Sequence, residues 1–311
     1  LNVRKLFILD NILISLYHLL RDIKHLKHQK IIPDISLSNI ETCAKRQSSY
    51  NKPDLKISVI IPNYNYAKFL FERVYSILNQ NYPIYELIIL DDCSTDNSLE
   101  IINQIVSSIN KYINVKVVLN EKNSGNAFSQ WQKGFKLSSG DYVWICEADD
   151  YCKKNFLRKV TKPINQNSNI IISYADTGFI DSTGTIVKKS LIDQIDLLKT
   201  GHWQKNYINT GQDEIDNYTY LNCTIPNVSG IIIKKDDYED ILNISKTFKQ
   251  CGDWYFYLNA LQRGKIAFNK KTLNYYRLHG NNISSTMNRK KHILEIKKIY
   301  SHLKNNNNMS E

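Results

Sequence analysis

Apolar residues cluster in a regular alternation of short runs and helical stripes from Lys56 onward. KISVIIP (56–62) is a β-branched apolar run of the kind a parallel strand buried on both faces requires. AKFLFERVYSILNQ (67–80) repeats apolar residues at helical spacing, with Phe69, Leu70, Val74, Ile77 and Leu78 on one face. The alternation continues with a strand at 85–92, a helix at 97–110, a strand at 115–120, a helix at 126–139 and a strand at 141–147. Asp96 is placed to cap the second helix, and Gly140 to end the third. Strands and helices alternating at this interval predict a parallel α/β sheet covered on both faces.

The second half is less regular. A hairpin is expected from 169–181 and 182–189, a strand at 229–235, and helices at 236–243 and 252–264. Further strand is expected within 265–279, and a basic helix at 289–304 followed by a disordered Asn-rich tail. The mixed, polar stretch 190–228 reads as a substrate-covering loop with a short helix. Residues 28–56 read as a linker containing Pro33 and Pro53. Ahead of it, Leu6, Leu9, Leu13, Leu16 and Leu20 mark an amphipathic helix for a membrane surface or for packing on the domain. Asp10, Asn11 and His18 interrupt the 6–20 stretch, which is too short to span a bilayer. The expected division is 1–55 as helix and linker, 56–287 as the main domain with halves 56–150 and 151–287, and 288–311 as helix and tail.

Composition changes the picture only through charge. The chain of 311 residues carries a formal net charge of +11. Residues 1–56 hold ten Lys/Arg against five Asp/Glu, and residues 288–311 hold six against two. The basic excess is therefore terminal, which argues against nucleic acid and fits peripheral contact with an anionic membrane face or solvated ends. Six cysteines with no C-x-x-C pair indicate reduced thiols in a cytoplasmic setting, with Cys146 and Cys251 buried.

Against this neutral middle, acid concentrates at the predicted strand ends. Ligands of open parallel sheets bind beyond the carboxyl ends of the strands. Three such ends here are polar: Pro62-Asn63-Tyr64-Asn65, Asp91-Asp92-Cys93-Ser94-Thr95-Asp96, and Glu147-Ala148-Asp149-Asp150. The last group offers hard oxygen ligands to a divalent cation, although a solvated acidic turn has the same spacing. The second group can accept hydrogen bonds from a base N–H or a ribose hydroxyl.

VIIPNYNYAKFLFERVYSILNQNYPIYELIILDDCSTDNS, NEKNSGNAFSQWQKG and GDYVWICEADD together resemble a family 2 glycosyltransferase of GT-A fold, in order and spacing, from about Lys56 to Asp150. The likeness continues more loosely through CGDWYFYLNALQRGKIAF and LNYYRLHGNNIS to about Ser285. The resemblance implies a Rossmann-like, mostly parallel sheet flanked by helices, with an N-terminal helical extension and a C-terminal helix. It implies that Pro62, Tyr64 and Asn65 border a nucleotide, that Asp92 contacts its base with Asp91 beside it, and that Asn123 and Gly125 close over it. It implies Asp149 as principal ligand of Mn²⁺ or Mg²⁺, with Glu147, Asp150 and His279 in support. Asp253 matches the catalytic base, and an acceptor hydroxyl does need a carboxylate to take its proton. The other reading of Asp253 is a helix cap. Trp254 is expected as a stacking surface for a sugar and Arg277 as a phosphate partner.

The expected activity is inverting, metal-dependent transfer from a nucleotide-diphosphate sugar, usually a UDP-sugar, to a hydroxyl of a glycan or lipid-linked acceptor in bacterial surface polysaccharide synthesis. The alternatives are an inactive nucleotide-sugar or glycan-binding module and a nucleotidyltransferase. PNYNYAKF lacks the glycine-rich phosphate loop that a nucleotidyltransferase usually carries.

Overall fold

The computed structural model describes residues 29–51, 53–280 and 289–305. The amphipathic 6–20 helix and the Asn-rich tail lie outside the described residues. The parallel half follows the expected order: β1 (Ile57–Asn63), α2 (Ala67–Leu78), β2 (Glu86–Asp91), α3 (Ser98–Ile109), β3 (Val115–Leu119), α4 (Ala127–Leu137) and β4 (Tyr142–Ile145), preceded by α1 (Leu37–Ser48). β1 pairs in parallel with both β2 and β4, and β2 with β3.

The second half adds β5 (Tyr151–Cys152), α5 (Phe156–Gln166), β6 (Ile170–Ile180), β7 (Ile186–Lys188), the single turn α6 (Ile192–Ile195), β8 (Tyr207–Thr210) and α7 (Gly211–Glu214). It finishes with β9 (Ile231–Lys234), α8 (Glu239–Ser245), α9 (Gly252–Leu261), β10 (Lys265–Arg277) and α10 (Arg289–Asn305). One sheet runs β3-β2-β1-β4-β9-β6-β10-β5, with β7 beside β6 and β8 beside β10. This is the mostly parallel α/β architecture expected, with antiparallel β9 inserted between β4 and β6.

Successive strand side chains point to opposite faces, and the core divides accordingly. Ile60, Ile88 and Leu90 pack with Trp131, Phe135 and Phe256 under α4 and α9. Val59, Ile61, Leu87 and Ile89 pack with Ile40, Leu70, Ile102 and Leu157 under α1, α2, α3 and α5. Register fixes the functional edge. Asn63 stands opposite Asp91, and Ile60 opposite Ile145, so the polar ends of β1, β2 and β4 finish on the same side.

Two expectations are corrected. Residues 28–56 are not a linker. Ser36 and Asn39 form a reciprocal capping box that starts α1. Ile40, Cys43, Ala44 and Gln47 then recur at helical spacing and are buried against α2 and α3. Gln47 is the fastening point. Its Nε2 donates to the carbonyls of Leu78 (3.1 Å), Gln80 (2.9 Å) and Tyr82 (3.4 Å), and its Oε1 accepts from the Ile84 N–H (3.0 Å).

The 190–228 stretch has short helices, as expected, but is packed into the core along much of its length and includes strand β8. Trp203, Ile215, Ile225 and Val228 are core residues, and the fully buried Glu214 accepts from Tyr207 (2.8 Å) and Asn209 (3.0 Å) and pairs with His202 (3.0 Å). All six cysteines are free, and Cys146 and Cys251 are buried as expected. No helix among the described residues is long and apolar enough to cross a membrane.

Replacing Gln47 by Leu keeps the volume but strands the Ile84 N–H and leaves the Leu78 and Gln80 carbonyls only the long side-chain bonds from Arg46 (3.5 Å) and Tyr50 (3.4 Å). Urea denaturation should show a loss of about 2–4 kcal/mol at unchanged m-value. A loss under about 0.5 kcal/mol would mean that α1 is not fastened by this side chain.

Candidate active site

At the ends of β1 and β2 the loops are tied to each other by side chains. Asp91 accepts from Asn63 Nδ2 (2.7 Å), from the Ser94 N–H (2.9 Å) and from the Ser94 hydroxyl (2.7 Å). Asn65 takes a left-handed conformation (φ 60°), and its side-chain Oδ1 accepts from the Thr95 N–H (2.7 Å). Asp92 organises the 120–130 segment. Its carboxylate accepts from Asn120 Nδ2 (2.6 Å), the Ser124 N–H (2.9 Å), the Ser124 hydroxyl (2.7 Å) and Gln130 Nε2 (2.8 Å). A carboxylate has about four acceptor sites, so protein donors fill those of Asp92. Asn120, Ser124 and Gln130 were not singled out from the sequence; only the fold shows that they converge on Asp92.

Gly125 turns this segment at φ 64°, its N–H held by Asn123 Oδ1. The N-cap of α3 is Asn97 and not the expected Asp96; Asp96, one residue earlier, accepts from the Ser98 N–H (2.9 Å) and also holds the Ala67 N–H (3.0 Å). Pro62 is enclosed within β1, whereas Tyr64 presents an aromatic ring at the edge, 42% exposed.

The acidic turn after β4 is held from several directions. Arg277, the last residue of β10, donates from Nε to the Asp149 carbonyl (2.7 Å) and from its backbone N–H to Asp150 Oδ1 (3.1 Å). Asn227 Nδ2 donates to Asp150 Oδ2 (3.0 Å), and the Glu147 N–H donates to Ser229 Oγ (3.0 Å). Trp131 Nε1 donates to Glu147 Oε1 (3.2 Å). His279 Nε2 lies 2.9 Å from Asp149 Oδ2, with the rings of Tyr66 and Phe69 about it.

Burial, reinforced by Asp149 and Asp150, pushes Glu147 up to about 8. Burial and Asp149 push Asp150 up to about 6. Crowded, desolvated carboxylates are disposed to share a cation. Among the described residues no three His, Cys, Asp or Glu side chains form a ready-made cage. Asp149 offers a hard oxygen donor that fits Mn²⁺ or Mg²⁺ completed by oxygens of another molecule, while the imidazole of His279 is a poor match to Mg²⁺.

Asp253 stands in the first turn of α9, whose N-cap is Cys251, so the aspartate is not the cap. It accepts the Trp254 N–H (2.7 Å), and burial pushes it up to about 6, with the Glu295 carboxylate adding to the rise. One turn on, the Tyr257 hydroxyl is buried and finds no hydrogen-bond partner. The charges of both Asp253 and Glu147 oppose its ionisation. Trp131 of α4 joins the acidic turn to α9, donating to Glu147 and meeting the Phe256 ring edge-on at 6.0 Å. Gly252 allows α9 to approach α4 closely, since a Cβ there would lie 2.5 Å from the Phe128 ring.

Two expected contacts are corrected. Arg277 is fully buried, ion-paired with Glu72 and stacked over Phe69 at 4.6 Å, so it braces the acidic turn and presents no surface to a phosphate. Trp254 is 5% exposed with its indole N–H on the Thr219 carbonyl (2.7 Å), so it packs the core and offers no face to a sugar. A cavity of about 800 Å³ lined by Asp141, Tyr142, Lys235 and Tyr238 lies at the opposite end of the parallel strands, away from these carboxylates.

Residues 58–242 match the family model described as glycosyl transferase family 2. An uncharacterized glycosyltransferase of Haemophilus influenzae is 31% identical over 198 residues, covering 62% of this chain and 73% of that protein. The poly(ribitol-phosphate) beta-N-acetylglucosaminyltransferase TarS of Staphylococcus aureus is 32% identical over 120 residues, 38% of this chain and 20% of TarS. The crystal structure of TarS 1-349 in complex with UDP-GlcNAc superposes with a TM-score of 0.56 at 22% identity, covering 75% of this chain and 62% of that one. The mannosyltransferase PcManGT of Pyrobaculum calidifontis, in complex with GDP-Man and Mn²⁺, gives a TM-score of 0.55 at 13% identity, covering 92% and 72%. Both likenesses concern the fold.

The raised carboxyls set a pH dependence of stability. The native state holds protons on Glu147 that the unfolded chain has released, so stability of the metal-free protein falls as pH rises from about 4.5 through about 8. Glu147→Gln removes that cost. Denaturation at pH 8 without divalent ions should find the variant more stable by about 1–2 kcal/mol, with the difference vanishing near pH 4. Equal stability at both pH values would contradict the crowding of charge described here.

Proposed function

The chain belongs to glycosyl transferase family 2, and from that premise we propose that it is an inverting glycosyltransferase that uses a nucleotide-diphosphate sugar and a divalent cation. The observation that carries the reading is that the acidic turn and α9 meet across one tryptophan: Trp131 donates to Glu147 (3.2 Å) and packs edge-on against Phe256 of α9 at 6.0 Å, three residues along from Asp253. A donor diphosphate at the acidic turn would then present its sugar toward α9.

On this reading the nucleotide lies along the edge formed by Pro62, Tyr64, Asn65, Asp91 and Asp92, with Asn123 and Gly125 over it. Asp92, already saturated by its own loop, shapes that edge, and a base N–H would reach it by displacing the Ser124 donors. Asp149 would hold Mn²⁺ or Mg²⁺, with His279 and Glu147 in support and Asp150 fixed by Asn227 and Arg277. The cation, when bound, supplies neutralisation of the diphosphate as it departs.

Asp253 takes the proton of the acceptor hydroxyl while that oxygen forms its bond to the anomeric carbon. The bond from that carbon to the diphosphate oxygen breaks with its electron pair, and the configuration inverts. Burial makes Asp253 more basic than a solvated aspartate yet leaves it mostly ionised above pH 7, which suits a general base.

The TarS complex with UDP-GlcNAc supports a UDP-sugar as donor. The relation to TarS supports a hydroxylated surface polymer or its lipid-linked precursor as acceptor. A binding module without catalysis would have no use for a carboxylate made more basic by burial at the start of α9.

Asp253→Asn should leave the donor KM within about threefold and lower kcat by about 10²–10⁴-fold. In the wild type, kcat should rise with pH through a midpoint near 6, as Asp253 ionises. Undiminished turnover by the Asn variant, measured as release of nucleoside diphosphate with acceptor present, would remove the base assignment.

A further inference from the structure

We propose that Glu295, on the C-terminal helix α10, is a positioning residue that holds the catalytic base Asp253 in place. The inference rests on the reading of Asp253 as base and extends it to an element outside the 58–242 family match.

The observation is a helix entry tied down from a distance. The N-cap of α9, Cys251, supplies no side-chain hydrogen bond. Glu295 instead fixes the backbone that leads into the helix. Its Oε1 accepts from the Lys249 N–H (2.7 Å), and its Oε2 accepts from the N–H groups of Gln250 (2.9 Å) and Cys251 (2.9 Å). Three consecutive backbone groups leading into α9 are thus fixed by one carboxylate, two residues before Asp253. The anion is also favourably placed at the positive end of the helix.

The arm that carries Glu295 is itself rigidly seated. Ile296, Ile299 and Leu303 belong to the same core as Tyr255, Phe256 and Leu258 of α9. Tyr300 donates to the Tyr220 carbonyl (3.1 Å), and the Tyr255 ring meets His302 edge-on at 5.4 Å. α10 is therefore a brace on the base-bearing helix. A lost brace would let Asp253 wander by a fraction of an ångström, enough to slow a reaction that depends on alignment.

Charge gives this role a signature that packing alone would lack. Of the titratable groups around Asp253, Cys251 and Cys223 are thiols pushed up by burial, Tyr257 is pushed up, and burial pushes His292 beside Cys251 down. Glu147 lies beyond Tyr257. Glu295 is the near anion, and its field raises Asp253.

The test compares Glu295→Gln, Glu295→Asp and the control Lys298→Ala in the full chain. Lys298 sits on the same helix but touches Thr247 and the Phe248 ring. Glu295→Gln should lower kcat by about 10–100-fold, leave the donor KM within twofold, and move the acid limb of the kcat profile to lower pH. Glu295→Asp, which keeps the charge on a shorter arm, should recover part of kcat and return the acid limb toward the wild-type position. Lys298→Ala should keep wild-type kcat. A wild-type kcat and acid limb for Glu295→Gln, or a loss matched by Lys298→Ala, overturns the proposal; if the Gln variant fails to fold, an Asp variant with wild-type kcat and acid limb does so. Asp253→Asn run alongside separates the two readings. If it is inactive while Glu295→Gln is normal, only the positioning role fails; if it is active, the base reading fails and takes this inference with it.

Discussion

Negative charge held away from water at one end of an apolar sheet is the constraint on which the rest of this molecule depends. β4 is buried along its length, and the turn that follows carries Glu147, Asp149 and Asp150 into partly or wholly enclosed positions. Desolvated carboxylates at such spacing repel each other strongly. The fold answers with fixed partners: Arg277 from β10 and Asn227 from the turn before β9 donate to Asp150, Trp131 from α4 donates to Glu147, and His279 beyond β10 pairs with Asp149, while Ser229 accepts from the Glu147 N–H and fixes the backbone of the turn. Beneath them, the buried Arg73 guanidinium lies over the Trp144 ring at 5.6 Å and adds positive charge from the core side. What these partners leave uncompensated is the disposition to take up a cation.

That arrangement explains why the two halves of the chain are inseparable. The first half supplies the acid, but the side chains that hold the acid come almost entirely from residues after 225. β10 crosses beside β6 and delivers Arg277 under the turn, while antiparallel β9 returns to pair with β4. α9 completes the enclosure by bringing Phe256 against Trp131. Each of these contacts spans more than 70 residues of sequence, so assembly of the site is a consequence of the whole fold and not of any local motif.

The same distance separates what was legible in the sequence from what was not. β1, β2 and β4 were readable because both of their faces are buried, which leaves unbroken β-branched runs. The acidic turn was readable because charge at the end of such a run is conspicuous. α1 was missed because its buried face consists of Ile40, Cys43, Ala44 and Gln47 among polar neighbours, a weak stripe whose strongest anchor is a glutamine. Trp254 and Arg277 were misassigned for a common reason: a tryptophan beside an aspartate, and an arginine beside a histidine, carry the composition of a ligand site whether they face a cleft or the core. Burial decides between those fates, and burial follows from tertiary packing. Glu295 gave no signal at all, since a glutamate in a basic amphipathic helix is indistinguishable from any solvated charge.

The central claim is that one ligand lies between the acidic turn and α9. A crystal structure of the chain with a nucleotide-diphosphate sugar and Mn²⁺ tests it most directly. The account predicts the nucleotide along the edge of β1 and β2, the metal on Asp149 and the diphosphate, and the sugar between the acidic turn and Asp253 with its anomeric carbon facing that carboxylate. A nucleotide seated in the cavity by Asp141 and Lys235, or a sugar directed away from Asp253, would contradict it.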